Sequence, residues 1–153
     1  MSASSGSGPA APNRTVALFN ANADTVEMVQ RMLSVKGIRC LASCHFADLK
    51  TGRVDFAQFL AEHDPAVVIF DISPPYAENW QFFETLRHTS GMEKRGVVLT
   101  TTNKDRLDET VGTDSAAFEI VGKPYDLEQI AAAISHAMPT PGQAGPAVTR
   151  EQR

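Results

Sequence analysis

The sequence lacks any grouping of positive charge and any long apolar run. Its 14 Lys and Arg stand against 18 Asp and Glu, for a formal net charge of -4. Nucleic acid is therefore not expected as a partner, because phosphate binding depends on clustered basic side chains. No apolar run approaches the roughly 18 residues of a membrane span, and the N-terminus lacks the apolar core of a signal peptide. We expect no membrane partner and a cytoplasmic location.

Cysteine is also scarce. The chain has two, Cys40 and Cys44, in the stretch C-L-A-S-C. On a strand they would share a face about 13 Å apart, which is too far for a disulfide. No second Cys/His pair at ligand spacing accompanies them, so two reduced, mostly buried thiols are predicted.

The four histidines fall on separate predicted elements and are expected at the surface: His45, His63, His88 and His136.

Both ends of the chain are poor in large apolar residues. Residues 1–13 and 138–153 are small, polar and rich in Pro and Gly, so we predict disordered tails there. The segment 14–137 between them is long enough for one domain and has no room for a second. The sequence therefore predicts a single domain with a tail at each end.

Within 14–137, short apolar runs alternate with helical patterns. The runs are continuous rather than alternating, as in strands covered on both faces. This order predicts an α/β fold, a doubly wound (βα)5 sandwich with a five-stranded parallel sheet. The predicted strands are 15–19, 38–42, 66–70, 97–101 and 118–121, and the predicted helices are 24–35, 55–62, 78–88, 104–111 and 126–137.

In such a sheet the site lies beyond the carboxyl ends of the strands. The stretch V-V-I-F-D-I-S-P-P, residues 67–75, delivers one acid, Asp71, to that edge. Its carboxylate suits a cap, half of an ion pair, a metal ligand or a nucleophile. The first strand is followed by F-N-A-N-A-D, which has no glycine, so a nucleotide-binding enzyme with a phosphate loop is disfavoured.

Three stretches, each at or just after the end of a predicted strand, resemble the motifs of a response-regulator receiver domain: D-I-S-P-P (71–75), V-V-L-T-T (97–101) and V-G-K-P-Y-D-L-E-Q-I (121–130). The resemblance implies a flavodoxin-like sheet of order 2-1-3-4-5 and a signalling protein, not an enzyme. Asp71 matches the phosphoryl acceptor, Thr100 the hydroxyl that binds the phosphoryl group, and Lys123 its lysine partner. Pro124 matches a proline that often follows a cis peptide bond. The implied partners are a histidine kinase or phosphotransfer protein and an unknown downstream protein.

The chain departs from that family where the metal is held. Receivers carry two adjacent acids after the first strand, and here Asn20 and Ala21 stand at those positions. The metal ligands that the resemblance implies are Asp71, the backbone of Ser73 and, weakly, Asn20. Ala21 offers no side-chain ligand and Asn20 only a neutral one, so the attraction of two carboxylates for the cation is lost and Mg²⁺ binding is expected to be weak or absent. Asp24, which precedes Glu27 in a D-x-x-E pattern, is predicted to be a helix N-cap.

A second departure lies in the fifth strand. The family's usual aromatic position is Ile120, and Phe118 stands two residues earlier on the same face. Two hypotheses therefore stay open. One is a stand-alone receiver that accepts a phosphoryl group on Asp71. The other is a phosphorylation-independent pseudo-receiver in which Asp71 and Lys123 form a structural ion pair.

Overall fold

The structure of the protein is a computed structural model, which describes residues 13–42 and 44–139. Its strands pair in parallel throughout, in the order β2-β1-β3-β4-β5. The predicted fold class and strand order are confirmed. The strands are β1 (Thr15–Phe19), β2 (Arg39–Ala42), β3 (Val67–Asp71), β4 (Gly96–Thr101) and β5 (Glu119–Gly122).

Six α-helices connect or flank these strands within the described residues, one more than predicted. The additional helix is α2, and it was missed because five residues are too few for a helical period. Two short 3₁₀ segments, Met92–Lys94 and Gly112–Ala117, complete the connections. The helices are α1 (Ala23–Val35), α2 (Phe46–Lys50), α3 (Phe56–His63), α4 (Tyr76–Arg87), α5 (Lys104–Val111) and α6 (Leu127–Ala137).

Strands β1, β3, β4 and β5 contribute apolar side chains to both faces of the sheet. In β3, for example, Val67 and Ile69 pack toward α1 and α6, whereas Val68 and Phe70 pack on the opposite face. This is the period-2 alternation of a strand with apolar residues at every position. All five residues of β3 are buried, so the chain delivers Asp71 from the centre of the core to the sheet edge.

Aromatic rings fill the face that is covered by α2 to α5. Phe19 and Phe70 lie opposite each other in the β1–β3 register and stack at 5.5 Å between ring centroids. Phe83 of α4 meets Phe70 edge-on at 5.1 Å, and Trp80 packs beside it. Trp80 is only 9% exposed, so its ring belongs to the core.

The N-cap of α1 is also different from the prediction. Asn22 is the cap, and its side-chain oxygen accepts a hydrogen bond from the Thr25 amide at 2.8 Å. Asp24 lies two residues further on, exposed in the first turn of the helix. The helix begins earlier than predicted because Asn, like Asp, is a strong capping residue.

The predicted surface histidines are all exposed. Cys40 is buried and Cys44 half-buried, and burial raises the pKa of the Cys40 thiol to about 11. Across the ranges 13–42 and 44–139, no helix has the length and apolar character needed to cross a membrane. The predicted tails lie outside the described residues except at positions 13, 138 and 139, and remain predictions.

The Asn22 cap gives a direct stability test. Asn22→Ala removes the oxygen that accepts from the Thr25 amide and should lower the free energy of unfolding by about 1 kcal/mol. Asp24→Ala, the matched control, loses only a favourable charge near the helix N-terminus and should cost less than about 0.5 kcal/mol. Urea denaturation measures both. A larger loss for Asp24→Ala would contradict this assignment of the cap.

A close approach between α6 and β4 gives a second test. A methyl group on Gly96, at the start of β4, would overlap the backbone carbonyl of Ala137 at the end of α6. Gly96→Ala should therefore destabilise the fold by about 3 kcal/mol, since backbone has to move. Gly122→Ala is the control, because a methyl group there meets only the Lys104 side chain at ordinary contact distance. Equal thermal melting temperatures for the two variants would refute the close approach.

Candidate functional site

The carboxyl edge of the sheet brings together the three residues that the sequence singled out. Asp71 is the last residue of β3 and Thr100 the second-last residue of β4, and the two lie directly opposite each other in the register. Lys123 follows β5, and its backbone amide donates to the Thr101 carbonyl. Parallel pairing therefore lines up the carboxylate, the hydroxyl and the ammonium along one edge.

The Thr100 hydroxyl and the Lys123 ammonium both contact the same oxygen of the Asp71 carboxylate. Oδ1 accepts a hydrogen bond from Thr100 Oγ1 at 2.7 Å and lies 2.8 Å from Lys123 Nζ. The Asp71 side chain is 10% exposed and that of Lys123 is 20% exposed, so the pair is largely shielded from water. A buried carboxylate needs such a partner, because an unpaired charge is costly to remove from water. The charge of Asp71 is thus compensated within the protein.

Asn20 occupies the first position where receivers carry an acid, and its amide group is engaged on both sides. Its Nδ2 donates to the Asp71 backbone carbonyl at 2.9 Å, and its Oδ1 accepts from the Phe46 amide at 3.0 Å. Its own backbone amide donates to the Cys44 carbonyl at 2.9 Å. Asn20 has a positive φ of 69°, a conformation that Asn tolerates better than most residues. It therefore ties the ends of β1 and β3 to the start of α2.

Ala21 occupies the second acidic position and offers only a methyl group. It is 6% exposed and packs in the same apolar cluster as Tyr125 and Cys40. Burial and the nearby charge of Asp71, with a smaller effect of Cys40, raise the pKa of Tyr125 to about 12. Tyr125 is 8% exposed, so its ring belongs to the core beside the site.

The residues present do not fit a Mg²⁺ site. Within the described part of the chain, no three His, Cys, Asp or Glu side chains converge on a point that would hold a metal ion. The Ser73 carbonyl, a predicted ligand, already accepts from Asn79 Nδ2 at 2.6 Å. The Asn20 oxygen is likewise engaged, Asn22 caps α1, and Asp24 is exposed. The assignment of Ser73 and Asn20 as metal ligands stays a prediction, which this geometry disfavours.

Phe118 lies beside the site rather than in it. Its ring meets Trp80 and Phe83 edge-on, each at 5.5 Å, and the Arg87 guanidinium lies 5.2 Å from its centre. A cation over an aromatic face is attracted by the electron density of the ring. Phe118 is thereby held against α4, while Ile120 continues β5.

Two contributors to this edge had no clear signal in the sequence. Asn79 holds the Ser73 carbonyl from the first turns of α4, and Tyr125 closes the apolar side of the site. A polar residue early in a helix is too common to indicate a role. The aromatic residue after Lys-Pro was visible, but its burial depends on how α6 packs.

Comparison with known proteins agrees with this architecture. No protein-family model matches the chain. Among curated proteins it is 26% identical to the response regulator Rre1 of Synechocystis over 91 residues, which is 60% of this chain and 39% of Rre1. It is 28% identical to the transcriptional regulatory protein HprR of Escherichia coli over 120 residues, covering 78% of this chain and 49% of HprR. The chain thus spans two-fifths to one half of the length of these relatives.

Solved structures of low sequence identity show the same fold. The chemotaxis protein CheY4 of Vibrio cholerae matches with a TM-score of 0.58 and 18% identity, covering 81% of this chain and 98% of CheY4. A CheY-like receiver domain from Methylobacillus flagellatus matches with a TM-score of 0.61 and 12% identity, with the same coverage. The resemblance is confirmed: the relatives of this chain are response regulators, and its fold is that of their receiver domains.

Proposed function

We propose that this chain is a receiver module of two-component-type signalling that acts through protein–protein contact, with Asp71 and Lys123 as a fixed ion pair. The observation that supports a fixed pair is the set of groups around Asp71. The carboxylate is compensated by Lys123, the Asn20 amide is bound on both sides, and Ala21 offers no ligand. The similarity to response regulators supports a signalling role rather than an enzymatic one.

Charge balance is the physical reason for preferring a fixed pair. In a site with several carboxylates, mutual repulsion is relieved by a bound cation. Here a single buried carboxylate has one ammonium at 2.8 Å, so the site is formally neutral without a metal. Mg²⁺ would add two positive charges beside the Lys123 ammonium, and the carboxylate that would bind the ion is already paired with that ammonium.

Phosphorylation of Asp71 is the second candidate, and one observation favours it. A hydroxyl and an ammonium both contact the same carboxylate oxygen, Thr100 at 2.7 Å and Lys123 at 2.8 Å. Aspartate can act as a nucleophile, and phosphoryl transfer depends mainly on positioning and charge stabilisation. In this alternative a histidine kinase or phosphotransfer protein would be the phosphoryl donor.

The two candidates differ in whether Asp71 can be modified. When Mg²⁺ is titrated in the presence of acetyl phosphate, we expect no phosphoryl adduct by intact mass. When Mg²⁺ is titrated in the presence of beryllofluoride, we expect no change in Trp80 fluorescence. The reason is the missing pair of acidic ligands. An adduct that forms on the natural chain and is abolished by Asp71→Asn would reject the fixed-pair proposal in favour of a phosphoryl acceptor.

Restoring the acids provides the positive control for that assay. The double variant Asn20→Asp, Ala21→Asp supplies the two missing carboxylates and should acquire Mg²⁺-dependent beryllofluoride binding. Ala21→Asp alone keeps the Asn20 hydrogen bonds and guards against a variant that fails to fold. If neither folded variant gains Mg²⁺-dependent beryllofluoride binding, the absent acids are not the reason why the natural chain does not bind it.

The ion pair itself predicts how stability responds to neutralisation. In this site Asp71 has a favourable partner and no acidic neighbour, so Asp71→Asn should lower the free energy of unfolding by about 2 kcal/mol. Lys123→Met should cost at least as much, because it leaves a buried carboxylate unpaired. In the double variant the two losses should be clearly less than additive. Additive losses in urea denaturation would show that the two residues do not interact.

A further inference from the structure

A cavity of about 760 Å³ opens at the edge of the sheet opposite Asp71. It lies at the amino ends of the strands, because its lining residues Arg14, Ile38 and Ala66 directly precede β1, β2 and β3. Helix α6 forms another wall. We call this cavity the basal pocket. Its volume is in the range of pockets that hold small organic ligands.

The floor of the basal pocket is apolar. Ile38, Ala66 and Ile134 line it, and all three are buried members of the core cluster beneath α1 and α6. Met138 extends the same surface at its rim. An apolar floor of this kind favours a ligand with a hydrocarbon or aromatic body.

The rim and one wall are cationic, although the whole chain is acidic. Four basic residues line the pocket against two acidic ones, Asp64 and Glu128. Lys36 pairs with Glu128 at 3.3 Å, and Arg95 pairs with Asp64 at 2.7 Å. Across the described residues, no ion pair involves the remaining two basic residues of the pocket, Arg14 and Lys94.

Arg95 adds a second, independent observation. Its side chain is only 9% exposed, and its guanidinium donates to Asp64 Oδ1 and to the Pro65 and Leu60 carbonyls. Its Nε is buried and has no hydrogen-bond partner among the described residues. The acid that pairs with it, Asp64, is itself 77% exposed. The wall of the pocket therefore contains a buried guanidinium with one unsatisfied N–H donor.

We propose that the basal pocket binds a small amphiphilic anion, a molecule with one carboxylate or sulfonate group and an apolar body. The body lies on Ile38, Ala66 and Ile134. The anionic group meets Lys94 and Arg14 at the rim; Arg14 donates one hydrogen bond to the Lys36 carbonyl at 3.3 Å. This site is independent of the proposed function, because it is at the opposite edge of the sheet from Asp71.

Anilinonaphthalene sulfonate has this chemistry and reports its own binding by fluorescence. Titrated into the full chain, it should bind at one saturable site, and decanoate should displace it and raise the melting temperature. A near-ultraviolet circular dichroism spectrum that stays unchanged shows that the dye binds the folded protein rather than a loosened state.

Two variants locate the site. Lys94→Gln removes a free rim cation and should weaken binding about fivefold, the effect of roughly 1 kcal/mol. Ala132→Glu places a carboxylate on the exposed α6 wall of the pocket and should weaken it more than tenfold. The matched control is Lys104→Gln on α5, which makes the same charge change away from the pocket and should leave affinity unchanged.

Asp71→Asn should also leave dye affinity unchanged, which separates this proposal from the one about the carboxyl edge. Absence of saturable binding by the folded chain would overturn the proposal. Equal affinities for the natural chain, Lys94→Gln and Ala132→Glu would overturn it as well, since the dye would then bind elsewhere.

Discussion

A single buried carboxylate governs the carboxyl edge of this sheet. Asp71 stands at the end of a strand in which every residue is buried, so its charge has to be compensated on the spot. Thr100 and Lys123 provide that compensation from the two strands beyond it. The parallel register fixes where these groups can be, because the carboxyl ends of neighbouring strands end side by side. The register of β3, β4 and β5 therefore determines which side chains can compensate the charge of Asp71.

Asn20 extends the same constraint to the backbone. A carboxylate at this position would face the negative end of the Asp71 carbonyl and the Asp71 side chain beyond it. An amide instead donates to that carbonyl and accepts from the amide at the start of α2. With an amide in place of an acid, position 20 no longer offers a negative charge to a cation and instead connects β1, β3 and α2 by hydrogen bonds. Side chains that hold the backbone in this way restrict the relative movement of β1, β3 and α2.

The sequence was sufficient to predict the fold and three residues that meet at its carboxyl edge, the ion pair Asp71–Lys123 and the hydroxyl residue Thr100. Continuous apolar runs predicted the strands, because a strand covered on both faces is apolar at nearly every position. Asp71, Thr100 and Lys123 were then found at or just after the ends of those predicted strands. The short helix α2 was missed because its one buried residue, Phe46, sets no period. The burial of Trp80 and Tyr125 depends on packing between elements distant in sequence. Local patterns also gave the wrong cap for α1, because Asn22 and Asp24 are both plausible capping residues and only the backbone path distinguishes them.

The positions of Asn13 and Pro139 have a consequence for the connectivity of the fold. Both residues line the basal pocket, so the first and last described positions lie at the same edge of the sheet. The order of the elements along the chain is then not demanded by the packing, because joining these positions would leave every strand pair and both core layers as they are. Circular permutation is tolerated where chain ends lie close together at the surface. A chain in which a linker joins residue 139 to residue 13, with new ends at an exposed loop, is therefore expected to keep the same five-stranded sheet and both core layers.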